Sequence, residues 1–225
     1  MTKKSTIADI YKRLSDGSCE ILDAAAGLFR ERGFSATTVR QIAEAAGILP
    51  GSLHYRYASK QELLEALMEQ AVERTTVAVR QATDGVRDPS ERLRLAMRAY
   101  LELLLSGDDS LYVLLYDWRS LGGTAREKVQ LLHDRLHALF DGLFYEAAGA
   151  GHIRADVDLK MMRHMWMGAL NWTVQWYQPG SCRDPDAIAD LFWNLLTTGA
   201  FDSENSFTGI GAAVAGLETK GTTRS

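Results

Sequence analysis

Apolar positions recur at spacings of three and four almost from end to end of the chain. No stretch alternates with the period of two that marks a half-buried strand. From Ser18 to Arg32, the residues Ile21, Leu22, Ala25, Leu28 and Phe29 fall on one helical face, and Gly33 supplies a stop. Thr38 and Gln41 have capping-box spacing, with the hydroxyl on a backbone N–H and the amide reaching back. They predict a short second helix that buries Val39, Ile42, Ala43 and Ala46 and ends at Gly47. Pro50 suits the first position of a third short helix, to about Tyr57, because its fixed φ is already helical and its missing N–H is not needed there. Ser59 and Glu62 repeat the capping-box spacing and open a long fourth helix to about Thr83.

Five further helices are predicted by the same signals. Asp88-Pro89-Ser90-Glu91 opens the fifth, to about Leu105, and Asp109 to Trp118 forms the sixth. Thr124 to Ala148 is the seventh, closed by a glycine-rich run, and Leu159 to Tyr177 is the eighth, closed by Gln178-Pro179-Gly180. Asp184 and Pro185 open the ninth, to about Phe201. The expected fold class is therefore all-α. Residues 1–14 read as a flexible basic arm and the Ser, Thr and Gly of 202–225 as a disordered tail.

Composition narrows the class. With 46% apolar residues in 225, the chain has enough to bury a core. Two cysteines, Cys19 and Cys182, are too few for a disulfide framework and imply a reducing compartment. No apolar run reaches the roughly 18 residues of a membrane span, and the first residues lack the apolar core of a signal peptide. A cytoplasmic protein without membrane contact is expected. The net charge of −4 argues against nucleic acid, but its distribution reverses that argument. Residues 1–60 hold 9 basic against 6 acidic residues, a net of +3; the remainder holds 16 against 23, a net of −7. All five tryptophans lie in the acidic part. A small basic module, 15–60, precedes a larger aromatic body, 61–201, and such asymmetry points to nucleic acid.

Two short helices joined through Ala45-Ala46-Gly47-Ile48 form a helix-turn-helix pattern. Ala43 lets the helices approach, Gly47 permits a positive φ in the turn, and Ile42, Ile48 and Leu53 supply a shared apolar seam. A helix of about eight residues is only about 12 Å long and needs neighbouring helices as scaffold. The run Thr37-Thr38-Val39-Arg40-Gln41-Ile42-Ala43-Glu44-Ala45-Ala46-Gly47-Ile48, then Gly51-Ser52-Leu53 and Ala58-Ser59-Lys60, resembles the DNA-binding domain of TetR-family regulators. The resemblance covers roughly residues 18–66; beyond them it extends to helical architecture alone.

It implies that the third helix enters the major groove of double-stranded DNA. Arg40 then suits bidentate reading of guanine. Ser52, His54 and Tyr55 offer hydrogen bonds to phosphates or base edges, with Pro50 and Gly51 on the same face. Thr38 at a helix N-terminus and Lys60 in the first turn of the fourth helix are expected at the phosphate backbone. Three positions depart from the family pattern. Leu49 replaces a polar cap and is free to touch a thymine methyl, His54 stands in place of the usual tyrosine, and Arg56 in place of an aromatic. Arg56 is left with two readings, a phosphate contact or a pair with an acidic neighbour.

The resemblance further implies a homodimer on a palindromic operator and a small-molecule effector, apolar, aromatic or of acyl-CoA type. Trp176-Tyr177-Gln178-Pro179-Gly180 is similar to members that respond to acyl-CoA esters. Effector contacts are expected at Met97, Tyr100, Leu101, Leu104, Tyr112, Tyr116, Trp118, His133, His137, Trp166 and Leu170. The same aromatics also suit plain core filling. Met167, Val174, Leu191, Trp193 and Leu195 are expected at the dimer interface or in the core. An enzyme or a lipid-carrying bundle without DNA function competes with this reading. Against the enzyme, no acid, base or nucleophile set is spaced for catalysis, and no cofactor or metal is expected. His133 and His137 share one helical face, but no Glu follows His133 to make a zinc motif.

Overall fold

In a computed structural model, residues 18–178 and 184–198 are described. The expected arm and tail, the end of the ninth helix near Phe201, Cys182 and the Pro179-Gly180 stop lie outside them. Nine α-helices occur among the described residues: α1 Ser18–Arg32, α2 Val39–Ala45, α3 Pro50–Arg56, α4 Lys60–Thr83, α5 Pro89–Leu105, α6 Asp109–Tyr116, α7 Gly123–Gly149, α8 Leu159–Trp176 and α9 Pro185–Thr198. No described residue is in a strand. The predicted sixth helix stops two residues early. Asp117 caps α6, and Trp118–Ser120 tightens into a single 3₁₀ turn.

The helix starts follow the capping chemistry. The hydroxyl of Thr38 accepts from the Gln41 N–H at 3.2 Å, and the Gln41 Oε1 accepts from the Thr38 N–H at 2.8 Å. Ser59 caps α4 through the Glu62 N–H, but the Glu62 carboxylate reaches one residue further back, to the Ala58 N–H at 2.7 Å. Asp88, Asp108 and Asp158 accept first-turn N–H groups of α5, α6 and α8 in the same way. Gly47, at φ +67°, makes the turn between α2 and α3.

The described residues through Asp186 pack as one compact unit, and those from Ala187 belong to a second. In the first unit α4 is the spine: it packs on α1, α5, α6 and α7. Leu63, Leu64, Leu67, Met68 and Ala71 give it a fully buried stripe. α1 also packs on α6, whereas α3 packs chiefly on α2. In the second unit Leu191 and Leu195 are exposed and Trp193 is half-buried.

Asp117 marks a cost in this packing. Its Oδ2 is buried without a hydrogen-bond partner among the described residues, and burial pushes the carboxyl above its ordinary value of 3.8. A carboxyl held protonated more readily in the folded chain than in the unfolded one loses stability as pH rises past 3.8, so the penalty is present in full at neutral pH. Asp117→Asn is expected to raise the melting temperature at pH 7, with the gain fading as pH falls towards 3.8. A gain that persists unchanged in acid would assign it to another cause.

Candidate DNA-reading surface and effector body

α3 presents almost all of itself to solvent. Leu53 alone is buried, while Pro50, Gly51, Ser52, His54, Tyr55 and Arg56 are exposed. Tyr55 is 93% exposed, and Leu49, just before the helix, is 75% exposed. A large aromatic and a leucine at such exposure contribute nothing to the core and stand available to a partner. Arg40, on α2, is exposed as well. Arg56 is exposed and makes no ion pair among the described residues.

Two residues expected at the phosphate backbone have partners within the chain. The hydroxyl and N–H of Thr38 are both engaged in the α2 cap. Lys60, half-buried, folds its ammonium back onto the corner before α2. Its Nζ donates to the carbonyl oxygens of Phe34 at 2.6 Å and Thr37 at 2.7 Å, with that of Ser35 at 3.4 Å, and lies 4.3 Å from the centre of the Phe34 ring. Burial pushes this ammonium below its ordinary value. Nothing in the sequence near Lys60 signals this, because its acceptors lie more than twenty residues upstream.

In the body, the expected effector residues divide. Met97, Tyr100, Leu101, Leu104, Trp166 and Leu170 are buried. Tyr100 meets Phe140 edge-on at 5.3 Å, Phe140 and Phe144 both stack near Trp166, and the Trp166 indole N–H points at the Met97 sulfur, 2.9 Å away. These rings form one contiguous core across α5, α7 and α8. One polar thread crosses it. The Tyr100 hydroxyl donates to the Asn171 Oδ1 at 2.6 Å, and the Tyr116 hydroxyl lies 3.4 Å from the Asn171 carbonyl oxygen. Burial pushes the Tyr100 hydroxyl far above its ordinary value, so it stays a donor.

Trp118, His133, His137 and His164 continue as a chain of rings with centroids 5.6–6.2 Å apart. Burial pushes His133 and His137 below the usual histidine range. His133 is fixed by its Nε2 at 3.1 Å from the Leu114 carbonyl oxygen. No group of three or more His, Cys, Asp or Glu among the described residues is placed to hold a metal. Tyr112 touches Tyr116, with ring centroids 4.8 Å apart. It lies under the Arg30 guanidinium of α1 at 4.9 Å, so it belongs to the seam between α1 and α6.

That seam is ionic, and no local spacing in the chain signals it. Arg74 of α4, with a side chain only 4% exposed, pairs with Asp108 at 2.9 Å and with Asp23 of α1 at 3.3 Å. Arg30 of α1 pairs with Asp109 at 2.5 Å. A cleft of about 320 Å³ opens beside these groups. A second cleft of about 520 Å³ lies between α4 and α7, lined by Val72, Val77, Leu132 and Leu139 with Glu69, Glu73, Arg80 and Arg135. None of the eleven expected effector residues lines either cleft.

α8 carries an exposed apolar stripe beside its buried face. Met167 is buried and Val174 half-buried. Met161, Met165, Trp172 and Trp176 are exposed at helical spacing, with Gly168 and Ala169 between them. A periodic stripe of this size is a protein-contact surface rather than scatter.

The helix-turn-helix placed on a helical body defines the class as a DNA-binding regulator, and comparison with known proteins gives the family. Residues 21–67 match the family described as "Bacterial regulatory proteins, tetR family", and residues 86–200 match "Tetracyclin repressor-like, C-terminal domain". The transcriptional repressor KstR2 of Mycobacterium tuberculosis is 30% identical over 184 residues, 80% of this chain and 90% of that protein. The TetR-family regulator PfmR of Thermus thermophilus superposes with a TM-score of 0.72 at 27% identity, over 81% of this chain and 99% of the other. AibR, solved with isovaleryl coenzyme A and operator DNA, superposes with a TM-score of 0.74 at 25% identity, over 83% and 100%. The chain belongs to the TetR family of transcriptional regulators, and double-stranded DNA is its partner. No helix among the described residues is long and apolar enough to cross a membrane.

Proposed function

We propose that the protein is a cytoplasmic homodimeric repressor that binds a palindromic operator and is released by an acyl-CoA thioester. Residues 15–60 serve as the reading head and 61–201 as the effector and dimerisation body. The observation that carries the DNA reading is the exposed face running from Leu49 to Tyr55, with only Leu53 turned inward. Two copies are needed because one short helix reads few base pairs and successive major grooves lie about 34 Å apart. The effector class rests on AibR, which was solved with isovaleryl coenzyme A; the cleft between α4 and α7, where Val72, Val77, Leu132 and Leu139 stand among Arg80, Arg135, Glu69 and Glu73, offers apolar surface for a hydrocarbon chain.

Fluorescence anisotropy on palindromes from the gene's own upstream region tests both halves. Operator binding should fall when isovaleryl-CoA or a longer acyl-CoA is added and should be untouched by free coenzyme A or the free acid. Release by none of the thioesters would reject the effector class; failure to bind any palindrome at low salt would reject the operator reading. Arg40→Ala should weaken operator binding by about 1–3 kcal/mol and relax preference at one base pair. An equal loss on every sequence would remove Arg40 from base reading.

A further inference from the structure

We propose that Lys60 is a positioning residue for DNA reading, whose ammonium makes the first turn of α4 and the corner between α1 and α2 one rigid piece. The corner, residues 33–38, leaves the carbonyls of Phe34, Ser35 and Thr37 outside any helical ladder. Such groups require partners, and Lys60 supplies one nitrogen to all three. An ammonium has three donors and no acceptor, so this cluster occupies its full capacity. The corner is held from its other side too. The buried Thr37 hydroxyl lies 2.9 Å from the Gly33 carbonyl oxygen and 3.2 Å from that of Leu28, and Phe34 packs on Phe29 at 5.3 Å.

The next residue after Thr37 is the cap of α2, so fixing the corner fixes where α2 begins. α3 packs chiefly on α2. At the other end, the Glu62 carboxylate of the same α4 turn holds the Ala58 N–H, in the link that leaves α3. One helical turn therefore grips both ends of the helix-turn-helix, the corner before α2 through Lys60 and the link after α3 through Glu62. A displacement of α4 would carry the reading head as a body instead of bending the link after α3. A phosphate reaching Lys60 would displace carbonyls that have no other hydrogen-bond partner among the described residues.

Lys60→Met keeps the stem and removes the donors. Lys60→Arg keeps the charge, but a planar fork does not fit an oxygen cluster gathered around one nitrogen. Both variants are expected to bind the operator about tenfold more weakly, as befits one lost charge-assisted hydrogen bond. Affinity for non-specific DNA and the dependence of binding on salt should stay unchanged, and amide exchange across 34–39 should quicken without DNA present. The exchange measurement stands even if no palindrome is found. A salt slope lower by about 1 in Lys60→Met and restored in Lys60→Arg would overturn the proposal in favour of a phosphate contact. A lowered melting temperature with unchanged operator affinity would also overturn it, reducing Lys60 to a structural tie. If Lys60→Met does not fold, Lys60→Arg decides alone by the same readings.

Discussion

Arg74→Met is expected to destabilise the fold by about 3 kcal/mol or more, a fall in melting temperature of about 6–12 °C for a chain of this size. The guanidinium is almost wholly buried and pairs with an Asp108 side chain only 13% exposed. Removing one member of such a pair strands the other charge in a poorly solvated place, and that desolvation is the larger part of the loss. Asp23 contributes less because it is half exposed; burial already pushes its carboxyl up, and Arg74 pulls it back down. Asp23→Asn and Asp108→Asn, added to Arg74→Met, should recover most of the loss, because no charge is then stranded and asparagine still caps α6 in place of Asp108. Circular dichroism melts at pH 7 decide it. A shift below about 2 °C for Arg74→Met, or no recovery in the triple variant, would show that the cluster is not what joins α1 to α4 and α6.

The same cluster shows where reading a sequence stops. Thr38 with Gln41, Asp88 with Glu91, and Gly47 in the turn were all legible because each device is local: partners sit three residues apart or a single backbone angle is at stake. The helix-turn-helix followed from these devices. Arg74 finds Asp108 across 34 residues and Asp23 across 51, and no spacing rule reaches that far. Lys60 reads as an exposed cation in a capping box, yet its long stem folds back onto the corner before α2. On α8 the choice between interface and core stays open in the sequence for a simpler cause. Periodicity shows that the helix has an apolar face, but this helix is apolar on two faces, and only packing against α5 and α7 tells which is spent. Met167 and Met165 stand two positions apart, about 200° around the helix, and the structure buries the first and exposes the second. The effector residues stay ambiguous for a related reason: aromatics that fill a core and aromatics that line a pocket have the same pattern until their neighbours are known.

Trp172→Glu, alone or with Met165→Glu, is expected to convert the homodimer to a monomer and to weaken operator binding by about 10²–10⁴-fold. Trp172 is 61% and Met165 70% exposed in the single chain, on a stripe shared with Met161 and Trp176. A two-fold contact presents each residue twice, so one substitution places two carboxylates in the interface. Truncating a tryptophan at the centre of an interface costs upwards of about 2 kcal/mol, and a buried charge adds to that. The loss on DNA follows from geometry and not from any change in the reading head. Two heads held by one dimer bind the second half-site at high effective concentration, and separate heads lose that factor. The variant should therefore bind a single half-site as well as the native protein does, keep its helical content, and show a melting temperature that no longer rises with protein concentration. Sedimentation measures the mass directly. A dimer of native mass and affinity after both substitutions would move the interface off this face of α8, while a monomer that still held the full operator tightly would break the link between dimerisation and DNA reading.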